Sequence, residues 1–219
     1  MATGTAGLGG ARRRRRARAL AALALIAAAA PCGGEVRVPV ASLLELRQRH
    51  VTVQRWDRSC GAAALVTLLR YQHGLDVSER EAALEMVRRY EYVEDPDLLA
   101  RKQGFSLLDL KRFAERRGLS ADGFGGLRFE HLLDMAPLLV PVRFDGYDHF
   151  VVFKGVLGDR VALADPAWGN RTLRVEEFLG AWISVDPVGR IGFRVQDAGG
   201  DAGASHPLTP RTEDFVLIR

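Results

Sequence analysis

The sequence predicts an α+β fold, with N-terminal helices packed on a C-terminal antiparallel sheet. Helix-forming stretches with Ser or Gly boundaries occupy the first half, and short β-type runs separated by turn residues follow from Leu138 onward. Hydrophobic content of 47% and charged content of 26% are ordinary for a globular domain. A chain of 219 residues is long enough for one well-cored domain and short of two.

Residues 1–34 read as a targeting segment. Arg12 to Arg16 and Arg18 form a basic start with no acidic residue in the first thirty positions. The apolar stretch Ala19–Ala30 follows, then Pro31-Cys32-Gly33-Gly34. That stretch has the length of a signal-peptide core and is too short for a comfortable membrane span. The expected location is periplasmic, with no membrane-spanning part after signal removal. Anchoring as a lipoprotein through Cys32 is the weaker alternative, because Pro31 fits a lipobox poorly. Without the six arginines the formal charge of +4 becomes −2, so a nucleic-acid partner has little support.

Residues 35–196 are expected to form the domain. Val36, Val38 and Val40 alternate as in a short strand, and Ser42–Arg47 suits a helical turn. A helix over 59–73 carries Ala62, Leu65, Leu68, Leu69 and Gln72 near one stripe and stops at Gly74. A second over 78–90 opens on a Ser78/Glu81 capping box. Leu98–Arg101 suits a further turn, and a third helix runs from about Ser106 to Arg117, ending at Gly118. Leu138–Phe144, His149–Val156 and Arg160–Ala164 read as strands, with Asp145-Gly146 and Gly158-Asp159 at the turns. Val175–Trp182 reads as a short helix leading to a strand at Ile183. Residues 197–219 read as a Gly/Ala/Asp-rich linker and a tail whose 214–218 stretch suits a last strand or docking segment.

The chemistry centres on Cys60. It opens an Ala/Leu-rich helix, where unpaired backbone N–H groups and the helix dipole favour thiolate. The pKa of this thiol is therefore expected to be depressed. Taken alone, Cys60 also reads as a small buried hydrophobe. Gln54 precedes it by six positions, His149 lies in an apolar strand, and Asp165-Pro166 follows the next strand. Cys, His and Asp are the parts of a thiol-nucleophile site, and a Gln amide can hold an oxyanion. Asp165-Pro166 alone reads as a turn. Asp148 is a rival orienter of His149, disfavoured because adjacent strand residues face opposite ways.

The order Gln-(five residues)-Cys-Gly, His-Phe-Val-Val and Asp-Pro resembles the peptidase C39 family. These are papain-like cysteine peptidase domains that cut leader peptides after double glycine. The 89 positions from Cys60 to His149 and the 16 from His149 to Asp165 agree with it, and the resemblance covers roughly residues 48–185. It implies a papain-like fold, with Cys60 as nucleophile, His149 as base, Asp165 as orienter and Gln54 as oxyanion donor. It also implies an exported stand-alone peptidase acting on a peptide or protein substrate, with Gly-Gly at the cut. Stand-alone members also serve export of functional-amyloid subunits, so export machinery is an expected partner. Ser59 departs from the acidic residue many members carry before the nucleophile. Trp56 and Gly61 flank Cys60 and are candidates for substrate contact.

No cofactor and no metal are expected. His50, His73, His131 and His206 lack ligand spacing, and no phosphate-binding Gly-rich loop occurs. The Gly-Gly pairs at 9–10, 33–34, 125–126 and 199–200 read as turns or linkers rather than self-cleavage sites. Two alternatives stay open: a non-cleaving module that grips an extended Gly-rich segment, and transglutaminase-like acyl transfer by the same triad.

Overall fold

The computed structural model describes residues 41–101, 104–197 and 206–212, with Met1 and Gly199. The targeting segment, the alternating valines at 36–40, Cys32 and the 214–218 stretch lie outside the described residues.

Helix α1 (Leu43–Gln48) starts at Ser42, whose hydroxyl accepts from the Glu45 N–H while the Glu45 carboxylate accepts from the Ser42 N–H. Helix α2 (Cys60–Tyr71) is the centre of the molecule, with every residue from Cys60 to Leu69 buried. This goes beyond the single expected stripe. Gly61 and Ala62–Ala64 are small enough for neighbours to close on all sides. Helix α3 (Glu79–Val87) is capped by the Ser78 hydroxyl on the Glu81 N–H. It is shorter than expected, and a separate turn, α4 (Tyr90–Glu94), follows, then α5 (Leu98–Arg101). Helix α6 (Leu107–Glu115) has a full capping box between Ser106 and Asp109.

Strand β1 (Leu119–Phe124) and helix α7 (Phe129–Met135) follow, neither legible from hydrophobic pattern. Then come β2 (Leu138–Phe144), β3 (Tyr147–Leu157), β4 (Arg160–Asp165), β5 (Gly169–Arg174) and α8 (Val175–Ala181). A two-residue pair, β6 (Ser184–Val185) and β7 (Gly189–Arg190), replaces the apolar strand expected at Ile183. Strand β8 (Gly192–Asp197) completes the main sheet, whose order is β1-β8-β2-β3-β4-β5 with every pair antiparallel. Asp145 and Gly146, both at positive φ, make the tight turn from β2 to β3.

The sheet is covered on both faces. Leu139, Val152, Ala164, Phe193 and Val195 meet α2, α3 and α6. Val140, Val142, Val151, Phe153 and Leu163 meet Phe178 and Trp182 at α8 and Leu132 of α7. Leu208, expected in a linker, is fully buried in the first of these clusters, and Pro210 packs against Gly155. Among the described residues, no helix is long and apolar enough to cross a membrane.

Asn170 of β5 ties α1 to the sheet. Its amide donates to the carbonyls of Leu46 and Arg49 at 3.3 and 2.7 Å, and its oxygen accepts from Lys154. Next to it, Gly169 at φ +95° passes so close to Arg47 that a Cβ would lie 2.5 Å from its carbonyl oxygen. Asn170→Ala should therefore cost about 1–3 kcal/mol in urea denaturation, since it strands buried acceptors. A loss below about 0.5 kcal/mol, the size of an ordinary surface substitution, would deny the tie.

Candidate active site

The site is assembled at one end of the sheet, where the N-terminus of α2 meets the start of β3. Cys60 is 4% exposed and is a free thiol. Its sulfur is approached by the backbone N–H groups of Phe150, Gly61 and Cys60 itself, each of which favours thiolate. Burial outweighs them and pushes the Cys60 pKa up, with Asp165 adding to the rise. This corrects the expected depression. The helix N-terminus acts in the foreseen direction, but desolvation is the larger effect.

His149 and Asp165 share a face of the sheet. Val152 pairs with Ala164, so extending the register by one sets Asp165 level with Val151, a diagonal step from His149. His149 Nε2 lies 3.6 Å from Asp165 Oδ2, close enough for an ion pair and too long for a hydrogen bond. Neither ring nitrogen of His149 has a hydrogen-bond partner among the described residues. Phe144 and Tyr147 present edges to the ring at centroid distances of 5.7 and 5.8 Å. Burial lowers the His149 pKa, opposed by Asp165 and assisted by Arg171. A buried thiol pushed up and a buried imidazole pushed down favour the neutral pair at rest.

Asp165 serves the turn and the site together, so the two readings of Asp165-Pro166 are compatible. Oδ1 accepts from the Ala167 N–H at 2.8 Å, closing the turn. Oδ2 faces His149 and accepts from Arg171 Nη1 at 3.3 Å. Arg171 also stacks over Phe144, with its guanidinium carbon 4.4 Å from the ring centre. His149, Asp165 and Arg171 thus cross three adjacent strands on one face. Asp148 turns away as strand alternation requires and is held by Arg143, with Nη2–Oδ2 at 2.7 Å.

Gln54 lines a cleft of about 710 Å³ with Asp57, Arg58, Arg143, Gly146, Tyr147 and Asp148. Its side-chain N–H donates to the Trp56 carbonyl at 3.3 Å, and its backbone N–H donates to the Pro166 carbonyl at 2.8 Å. Ser59 does not cap α2 with its side chain. Its hydroxyl lies 2.6 Å from Glu79 Oε1 and 2.7 Å from the Trp56 carbonyl. Trp56 is 44% exposed and lines a second groove, also reached by Gln54, on the side of Glu79 and Arg80.

Gly61 is placed differently from its expected role. It is buried, and a Cβ there would point at Phe150 and Leu110, 3.4 and 3.7 Å away. These are ordinary van der Waals distances, so its side faces the core with room for a methyl group rather than facing the cleft. Arg171 and Glu79 were not singled out in the sequence, because only strand register and helix packing bring them near the site.

No group of three or more metal-ligating side chains occurs among the described residues. His50 packs on Tyr71, His73 pairs with Asp197, and His131 and His206 accept from nearby backbone N–H groups. Gly125 and Gly126 form a packed turn, with Gly126 at φ +64° and Gly125 against Val188.

The raised thiol pKa predicts the labelling behaviour of Cys60. Its iodoacetamide rate should climb with pH through a midpoint above the free-thiol value of about 8.5. A plateau reached below pH 7 would show a resting thiolate instead.

Comparisons with known proteins agree with this architecture. A model of the peptidase C39 family matches residues 48–186. A protein of Pseudomonas fluorescens named "Probable functional amyloid protease FapD" is 39% identical over 158 residues, covering 72% of this chain and 68% of that one. Its namesake from Pseudomonas aeruginosa is 36% identical over 190 residues, covering 84% and 78%. The crystal structure of a double glycine motif protease from an AMS/PCAT transporter, in complex with its leader peptide, superposes with a TM-score of 0.51. It is 25% identical and covers 68% of this chain and 94% of that one. The peptidase domain of Streptococcus ComA shares the fold, with a TM-score of 0.52 at 16% identity over 67% of this chain and 97% of that one. With its α+β architecture and its family match over most of the domain, the chain belongs to the peptidase C39 family of cysteine peptidases.

Proposed function

We propose that this C39 peptidase hydrolyses a peptide bond after Gly-Gly in an exported protein of a functional-amyloid system, with Cys60 as nucleophile. The observation that carries the reading is the Cys60 sulfur at an uncapped helix N-terminus, approached by the backbone N–H of Phe150, the neighbour of His149, whose ring lies 3.6 Å from Asp165. His149 takes the thiol proton as Sγ attacks the scissile carbonyl carbon. The Cys60 backbone N–H and the Gln54 amide hold the resulting oxyanion. Asp165 keeps the imidazole oriented and stabilises its cationic form. The imidazolium gives its proton to the leaving amine, and water then releases the acyl group from sulfur.

Two features of the resting site suit this sequence. Among the described residues the Gln54 amide is engaged only by the 3.3 Å bond to Trp56, which a developing oxyanion can replace. The 3.6 Å gap between His149 and Asp165 is of the kind that tightens when substrate excludes water. The Gly-Gly preference is supported by the family, and by the double-glycine protease whose structure this chain resembles. The names of the two Pseudomonas relatives support a functional-amyloid substrate, and the basic and apolar N-terminal segment supports export to the periplasm.

The test is incubation with a peptide containing Gly-Gly and its Ala-Ala counterpart, read by mass spectrometry, with Cys60→Ala as control. Cleavage after the second Gly by the native protein alone is expected. Equal cleavage of both peptides would overturn the Gly-Gly preference, and cleavage by Cys60→Ala would remove the nucleophile.

Gln54→Ala should keep its melting temperature and lose about 10²–10³ in turnover. Unchanged turnover would take Gln54 out of the site. Asp165→Asn should reduce turnover much more than Asp148→Asn, because only the 165 carboxylate faces His149. The reverse ranking would reassign the orienting residue.

A further inference from the structure

We infer that Glu79 is a positioning residue for the oxyanion site, fastening the arm that carries Gln54 to the start of the helix that carries Cys60. This deepens the proposed function and rests on it. The Glu79 side chain lies at the first position of α3, and the residue is 5% exposed. Its two oxygens accept from the Arg55 backbone N–H at 3.0 and 3.1 Å. Oε1 also lies 2.6 Å from the Ser59 hydroxyl. One buried carboxylate therefore binds the residue after Gln54 and the residue before Cys60. A buried carboxylate with charge-assisted bonds to both ends of a short arm fixes their separation more tightly than neutral bonds would.

The bond to Ser59 has a second effect. A serine at the residue before a helix usually accepts from an N–H of the first turn. Here the hydroxyl is turned to Glu79 and the Trp56 carbonyl and makes no such cap. The first N–H groups of α2 are left to the Cys60 sulfur and to the oxyanion that forms beside it. From the other side, the Gln54 backbone N–H is held by the Pro166 carbonyl, next to Asp165. Glu79 and Pro166 together leave the Gln54 arm little room to drift from the triad.

The experiment compares two reactions of the same sulfur in the full chain. Acylation by p-nitrophenyl acetate passes through an oxyanion, and alkylation by iodoacetamide does not. With both rates expressed per thiolate from their pH profiles, Glu79→Ala should slow acylation by about tenfold and change alkylation by less than about twofold, since only acylation uses the oxyanion donors. In combination with Gln54→Ala, the loss should be no greater than for Gln54→Ala alone, because both changes disable one device. Glu79→Gln, which keeps the shape and an acceptor oxygen, should restore acylation to within about threefold of the native rate. Ser59→Ala, which leaves Glu79 in place, should slow acylation and not alkylation, so the inference stays testable if Glu79→Ala does not fold.

Equal slowing of both reactions, or losses from Glu79→Ala and Gln54→Ala that multiply, would overturn the positioning role. These rates do not depend on the peptide substrate. A native protein that acylates normally but cuts no Gly-Gly peptide would therefore refute the proposed specificity and leave the role of Glu79 standing.

Discussion

The burial of helix α2 is the constraint on which the rest of the structure depends. Ten consecutive residues from Cys60 to Leu69 are sealed between the sheet and the helices α3 and α6. Such a helix can neither slide nor rotate without opening voids, which cost free energy roughly in proportion to their volume. Its start is buried as well, with Gly61 beside Phe150 and Leu110. Cys60, the proposed nucleophile, therefore inherits its position from the core rather than from a loop. The cost is desolvation, which the three nearby N–H groups offset only in part, and which leaves the thiol pKa above its ordinary value.

A second economy lies in Asp165. One oxygen closes the turn that leads into β5, and the other confronts His149 and Arg171. A carboxylate held by a backbone N–H on one side cannot swing away, so the turn is also what aims it. Arg171 donates to this carboxylate at 3.3 Å, and its stacking on Phe144 fixes the far side of the imidazole. The same turn holds Gln54 through the Pro166 carbonyl. Backbone geometry chosen for a tight reversal thus places parts of the candidate site on two segments far apart in sequence.

The legible parts of the fold were those whose signals are local. Ser42, Ser78 and Ser106 mark helix starts by a hydroxyl reaching an N–H three residues on, and each does so in the structure. Strands β2 to β4 are dense in Val, Leu and Phe because both faces of the sheet are covered there. Strand β5, Gly169–Arg174, carries little apolar pattern because it is an edge whose inward groups, Asn170 and Thr172, make polar bonds. In strands β1 and β8 the buried side chains are Ala121, Phe193 and Val195 among polar neighbours, with Gly192 buried beside them, too few for a period to emerge. For the candidate site, motif order and spacing single out Cys60, His149, Asp165 and Gln54 as the residues to propose. Arg171 and Glu79 were not, because a salt bridge across strands and a bond from a neighbouring helix leave no trace in spacing along the chain. The burial of Gly61 against Phe150 and Leu110 was not legible for a similar reason, since both neighbours lie far away in sequence.

The placement of His149, Asp165 and Arg171 on three hairpin-linked strands bears on how the protein comes to be active. That half of the site spans little more than twenty residues of chain, and local β-meanders close with small losses of chain entropy. The sulfur arrives from 89 residues upstream and only when its helix has been enclosed. Local strand pairing thus sets one side of the candidate site, and long-range packing sets the other. The Cys60 side of the candidate site therefore depends on closure of the core, and the His149 side on hairpins that need no distant partner.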